Sequence, residues 1–244
     1  MREGCLYNQS MTADHIRAAL GRHADPRQAE ILRRFFKTGP GQYGEGDIFL
    51  GVKVPQTRAV ARQFSLFPLE ETLSLLKSVV HEERLLALLL MVDQYSKGAE
   101  SVRNKIYKSY LANTRHINNW DLVDLSAPQI VGAHLVERDR SILRKLAVSS
   151  SLWERRISVI ATFHFIKNGD LTDTFVIAEK LLSDAHDLIH KAVGWMLRET
   201  GKRDMAAEED FLRRHYKSMP RTMLRYAIER FPEKKRRAYL KGTV

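Results

Sequence analysis

The sequence is short of several things, and each scarcity removes a class of protein. It holds one cysteine, Cys5, in 244 residues. That excludes an internal disulfide and any metal site built from several thiolates. No apolar run approaches the ~20 residues that a membrane-spanning helix needs; the densest stretch runs only from Leu85 to Val92. Residues Met1 to Met11 lack the apolar core of a signal peptide, so a cytoplasmic protein is expected, with 1–11 a flexible tail carrying Cys5. No stretch reads convincingly as a strand. Acid is scarce beside base: 29 Asp and Glu stand against 40 Lys and Arg, a formal net charge of +11. Such a balance favours a polyanionic partner, whether DNA, RNA or an acidic membrane surface.

What is present is helix. Apolar spacing and end signals predict segments at 12–22, 26–37, 55–64, 68–80, 82–97, 99–113, 119–136, 138–148, 152–167, 171–183, 188–201, 208–217, 221–230 and 233–240. Pro26 suits a first helical position, and Ser151-Leu-Trp-Glu154 has the form of a capping box. One stretch breaks the pattern, Thr38 to Asp47, with four glycines and a proline. Such a composition forbids a helix. It has neither the lysine of a phosphate-binding loop nor a surrounding strand–helix unit. It reads either as a connector that places Lys53 and Arg58 near a partner or as a plain linker. No composition break divides the chain, so 12–244 is expected to form a single all-α domain.

A repeat runs through the helices. Arg84, Trp120, Arg156, Lys191 and Arg225 fall near the start of every second helix, at intervals of about 35 residues. Recurring helix pairs of that length indicate an α-solenoid of the HEAT or armadillo type. One equivalent position is then basic in four repeats and tryptophan in the fifth. Stacked repeats would line these residues along a concave face, where cations suit a phosphate backbone.

The tryptophan repeat is the most unusual. In Asn118-Asn-Trp-Asp-Leu-Val-Asp124, Asn118 is expected to cap a helix with Asp121 in its first turn. Trp120 and Asp124 then project from one face, one turn apart. Pro128 is expected to kink the helix just beyond them. Taken alone, the pair reads first as a core tryptophan and a solvated acid. The alternative is an aromatic plane and a carboxylate placed to hold a cation. Trp195 occupies the register position of Asp124 one turn after Lys191, and Gly194 beside it signals the close approach of a helix or a ligand.

Other candidates are weaker. His186 and His190 stand one helical turn apart, but no third ligand accompanies them, so no metal is expected. His134 and His164 read as core or interface residues. No Gly-x-Ser-x-Gly supports a serine hydrolase. The basic end, from Arg213 to Arg237, suits phosphate binding or a solvated helix face.

Four segments, Phe49-Leu-Gly-Val-Lys-Val-Pro55, Trp120-Asp-Leu-Val-Asp124, Trp153-Glu-Arg-Arg156 and Lys191-Ala-Val-Gly-Trp-Met-Leu-Arg198, occur in an order and spacing that resembles the AlkD-type DNA alkylation repair glycosylases. The likeness runs from about residue 12 to residue 238. It implies HEAT-like repeats around duplex DNA and a monofunctional enzyme; a monomer is the default for a protein that encircles DNA, and no cofactor or metal is expected. Such an enzyme hydrolyses the N-glycosidic bond of 3-methyladenine and 7-methylguanine without a base-flipping pocket. By the same resemblance Asp124 is the catalytic carboxylate and Trp120 and Trp195 are the aromatics of the cleft. Arg156 would hold the DNA backbone; the repeat register adds Arg84, Lys191 and Arg225, and the connector adds Lys53 and Arg58, as further expected DNA contacts. Phe35 stands where founding members carry a tyrosine facing DNA, and the glycine-rich loop is longer than in some relatives. The competing expectation is a non-catalytic HEAT-repeat protein that binds DNA or a protein partner.

Overall fold

A computed structural model describes residues 12–244, so the expected tail and Cys5 lie outside the described residues. Among the described residues the secondary structure is helical, with one isolated parallel bridge between Ile48 and Val80. The backbone forms two compact units whose boundary in sequence falls between Leu122 and Val123.

The first unit holds α1 (Ala13–Gly21), α2 (Pro26–Phe35), α3 (Val54–Gln63), α4 (Leu69–Leu76), α5 (His81–Lys97) and α6 (Glu100–Ala112). Asp25 caps α2 by accepting from the amides of Arg27 and Gln28, with Pro26 in the first turn. α5 is the centre, because its Leu85 to Met91 stretch is buried on every side. α3, α4 and α6 pack on α5, and α1 packs on α3 and α4.

Between α2 and α3 the glycine-rich stretch folds back on the end of α2. The Gly44 amide donates to the Lys37 carbonyl, and a Cβ on Gly44 would lie 2.4 Å from the Phe36 oxygen. The chain then runs extended, and the buried Glu82 carboxylate accepts from the amides of Leu50, Gly51 and Val52 at 2.8 to 3.2 Å. Gly51 is required there: its φ is +85°, and a Cβ would sit 2.0 Å from the Asp25 oxygen. The stretch that resembled a family motif is thus a clamped segment leading into α3, with Lys53 at its cap.

α7 (Trp120–Ala127) opens at the end of the first unit and runs in sequence into the second. Its start corrects one expectation. Asn119 supplies the acceptor, taking the Trp120 amide at 2.8 Å, whereas the Asn118 oxygen is buried without a hydrogen bond. Pro128 does not end the helix. It lacks an amide for the i→i−4 bond, and the chain widens into a π turn over Pro128–Gly132 before continuing.

The second unit continues with α8 (Ser141–Leu146), α9 (Leu152–Lys167), α10 (Thr172–Lys180), α11 (Asp187–Gly201), α12 (Met205–His215), α13 (Arg221–Ala227) and α14 (Glu233–Lys241). α9 packs on the π turn, α8, α10 and α11; α11 packs on α10, α12 and α13. Ser151 caps α9 by accepting from the Glu154 amide, while the Glu154 carboxylate takes the Ser149 hydroxyl, so only half of the box forms as expected. The close approach signalled by Gly194 is that of a helix. A Cβ there would lie 2.4 Å from the Met223 oxygen and 2.5 Å from Tyr226 Cβ, so glycine lets α13 pack directly on α11.

The repeat expected from sequence is carried by alternate helices: Arg84, Trp120, Arg156, Lys191 and Arg225 stand within the first five residues of α5, α7, α9, α11 and α13. The chain is all-α, with successive helices packed in the HEAT-like manner inside each unit.

Candidate functional site

In the second unit the carboxylate of Asp124 meets the guanidinium of Arg156 edge to edge. Arg156 Nε donates to Oδ1 at 2.9 Å and Nη2 donates to Oδ2 at 2.8 Å. The third nitrogen, Nη1, donates to the Leu188 carbonyl in the first turn of α11. One arginine on α9 therefore orients a carboxylate on α7 while gripping the backbone of α11. The Arg156 side chain is 6% exposed and that of Asp124 18%, so the acid is the more accessible of the two. Two parallel charge-assisted bonds fix a carboxylate more tightly than one.

Trp195, on α11, is half-buried. Its indole Nε1 donates to Glu199 Oε1 at 3.1 Å, and its ring lies 5.7 Å from that of Phe163. Lys167 sits over the Phe163 ring at 4.3 Å. Trp195 is thus oriented at its polar edge by Glu199, which also pairs with Lys202.

In the first unit Trp120 closes an aromatic cluster. Its ring stacks on Phe36 at 5.4 Å, and Phe36 stacks on Phe49 at 5.2 Å. Phe35 meets the Trp120 ring edge-on at 5.9 Å and is 59% exposed, an unusual placement for a phenylalanine. Behind the cluster lies a buried ion network. His81 Nδ1 is 3.2 Å from Asp47 Oδ2 and its Nε2 is 2.8 Å from Asp121 Oδ2. Arg84 Nη2 is 2.7 Å from the other Asp47 oxygen. Burial pushes the His81 imidazole down, but the Asp121 charge and the bonds to Asp121 and Asp47 outweigh it, raising the pKa to about 9. Burial likewise opposes ionisation of Asp47, yet His81 and Arg84 hold its carboxyl below the usual range. Sequence inspection missed this network because His81 lies 34 residues from Asp47 and 40 from Asp121.

The expected line of exposed cations divides. Lys53, Arg58 and Arg225 are exposed and have no ion-pair partner among the described residues. Lys191 is half-buried and lies 2.6 Å from Asp187. Arg84 and Arg156, in contrast, are buried at 3% and 5% exposure and spent on Asp47 and Asp124. A guanidinium held by carboxylates in the interior offers a phosphate little, so these two correct the reading of a continuous basic row. Much of the basic end is also paired within one turn: Arg213 with Glu209, Arg214 with Asp210, and Arg236 and Arg237 with Glu233.

His186 caps α11 by accepting from the Leu188 amide, and His190 Nε2 bonds the Asp184 carbonyl. Among the described residues no group of three His, Cys, Asp or Glu is placed to hold a metal ion, and no helix is long and apolar enough to cross a membrane.

A family model described as DNA alkylation repair enzyme matches residues 16–231. A comparison with functionally curated proteins found no match. Among solved structures, a protein described as a predicted DNA alkylation repair enzyme from Enterococcus faecalis is similar at 16% identity. That similarity covers 86% of this chain and 98% of the other, with a TM-score of 0.68. At that identity the likeness speaks for the fold alone.

Proposed function

Since the chain belongs to the DNA alkylation repair enzyme family, we propose that it is a monofunctional DNA glycosylase acting on positively charged alkylpurines in duplex DNA, of the AlkD type. The observation that carries this reading is the oriented carboxylate of Asp124, held at both oxygens by Arg156 and still 18% exposed.

The chemistry suits a fixed anion. A 3-methyladenine or 7-methylguanine base already bears positive charge, so its glycosidic bond breaks without a general acid. The sugar left behind is oxocarbenium-like, and a preorganised carboxylate stabilises the charge as it develops. At ~4 Å and an effective dielectric near 20 one charge pair contributes about 4 kcal/mol, roughly a thousandfold in rate. Arg156 offsets part of that field, so the figure is an upper bound. Its compensating effect is positional, because the carboxylate pays no reorganisation when the charge appears. Asp124 would also hold the attacking water.

In this reading Trp120 and Trp195 offer ring faces to the deoxyribose and its developing charge. Phe35 extends the aromatic surface at Trp120, and Lys53, Arg58, Lys191 and Arg225 meet phosphates. Arg156 acts by positioning Asp124 instead of gripping the DNA directly. The base stays in the duplex, and selectivity comes from the lesion's own lability. The competing reading, a non-catalytic repeat protein that binds DNA or a protein partner, gives the oriented acid no task.

The test is release of free bases from methylated duplex DNA, followed by chromatography. The proposal predicts 7-methylguanine and 3-methyladenine in the product and an abasic strand left uncut. DNA binding that weakens steeply with salt, without any release, would favour the non-catalytic reading.

A further inference from the structure

We propose that His81 is a positioning residue for Trp120, acting as a buried imidazolium that pins the first turn of α7 and backs the aromatic stack on which the indole lies. The functional weight of this proposal rests on the reading of Trp120 as part of the DNA-contacting surface; its structural content does not.

The geometry requires the charged form. Both ring nitrogens of His81 face carboxylate oxygens, Asp47 on one side and Asp121 on the other. An ionised carboxylate only accepts hydrogen bonds, so both nitrogens must donate. The ring is 2% exposed and carries that charge away from water. Its faces are aromatic: Phe49 stacks on it at 4.6 Å and Phe36 lies tilted at 4.9 Å. A cation against aromatic faces adds attraction to both rings. Phe36 in turn stacks on Trp120 at 5.4 Å. Asp121, the residue that receives the second His81 bond, follows Trp120 directly in the chain. The imidazolium therefore reaches the indole by two routes, through the ring stack and through the backbone of α7.

The charged groups facing His81 are Asp47 from the loop before the clamped segment, Asp121 from α7, and Arg84 one turn along α5. Two cations meet two anions, and the cluster is balanced only while His81 keeps its proton. A buried ion cluster is a poor source of stability compared with apolar packing of the same volume. What it supplies is a defined orientation. Loss of the proton leaves Arg84, on Asp47, as the remaining cation of the cluster and removes one of the two His81 donors, so the hold on the opening of α7 weakens. With the His81 pKa at about 9, that loss belongs to the alkaline range.

The experiment uses protein labelled with 5-fluorotryptophan, which reports on all three tryptophans by fluorine NMR. Trp120→Phe assigns the resonance. The proposal predicts that the Trp120 signal shifts with pH around a midpoint near 9, while those of Trp153 and Trp195 do not follow it. The transition is absent in His81→Gln, and Asp121→Asn, which keeps the shape of the pair, lowers its midpoint. In the release assay at neutral pH, His81→Gln loses about ten- to a hundredfold in rate, the scale expected for a misplaced contact group.

A Trp120 signal that ignores pH, with full release by a folded His81→Gln, overturns the proposal and leaves His81 a structural residue only. The two readings fail separately. If wild type releases no base while the Trp120 signal titrates, the glycosylase reading falls and the positioning stands. If base is released while the signal is flat, the reverse holds.

Discussion

Asp124 and Arg156 form a two-point ion pair between α7 and α9, and the same arginine grips the first turn of α11. Three helices are thus fastened at one side chain. Arg156→Lys keeps the charge but offers a point in place of a fork. It is expected to lower base release about tenfold or more while DNA affinity changes little, measured by single-turnover release beside equilibrium binding. Arg156→Ala removes the two-point partner of Asp124 in a largely buried place. It is expected to cost roughly 3 kcal/mol in denaturant unfolding, near the low end for a broken buried pair. An Arg156→Lys protein with unchanged release would show that orientation of the acid does not matter.

Gly194 and α13 give a purely structural prediction. A methyl at 194 would overlap a backbone oxygen, and a backbone does not yield as a flexible side chain does. Gly194→Ala is expected to destabilise by about 1–3 kcal/mol although alanine is the better helix former. A thermal melt decides it. Stabilisation would mean that α11 and α13 do not pack as closely as described.

Glu208 sets a pH dependence. It is buried on α12 at 1% exposure with one carboxyl oxygen unbonded. Burial raises its pKa from 4.5 to about 8, only partly opposed by Arg198. The folded state therefore holds a proton that the unfolded chain releases between these values. Its contribution to stability is greatest below pH 4.5 and is lost as pH rises toward 8. Glu208→Gln removes that dependence. The difference in unfolding free energy between variant and wild type should grow in favour of the variant across pH 4.5 to 8. A difference that stays constant would contradict the assignment.

Much of this fold was legible because its signals are local. The proline at the head of α2, the serine at the head of α9 and the glycine cluster before Phe49 act within a few residues of themselves. The helix interval was legible too, since stacking repeats impose their period on the chain. What the sequence hid were contacts across repeats. Asp124 with Arg156, Arg140 with Asp173, Arg155 with Asp184 and Arg198 with Glu229 lie 32, 33, 29 and 31 residues apart. Each is close to one repeat, so an acid and an arginine at that separation would have been a usable signal. That Arg84 and Arg156, expected on a DNA-facing row, are buried against acids was hidden for the same reason. Residues in the opening turns of packed helices face neighbouring helices as well as solvent, and composition does not say which. The His81 network was out of reach, because its members come from a loop and two helices with no common period.

The account turns on the carboxylate of Asp124. The most direct measurement is the single-turnover rate of 7-methylguanine release from a duplex carrying one lesion, for wild type and Asp124→Asn, with affinity for the same duplex determined in parallel. Asparagine keeps the shape of the side chain and removes its charge. The account predicts release by wild type and a loss of about a hundredfold or more in the variant, with DNA affinity retained. Equal release by both proteins would contradict it.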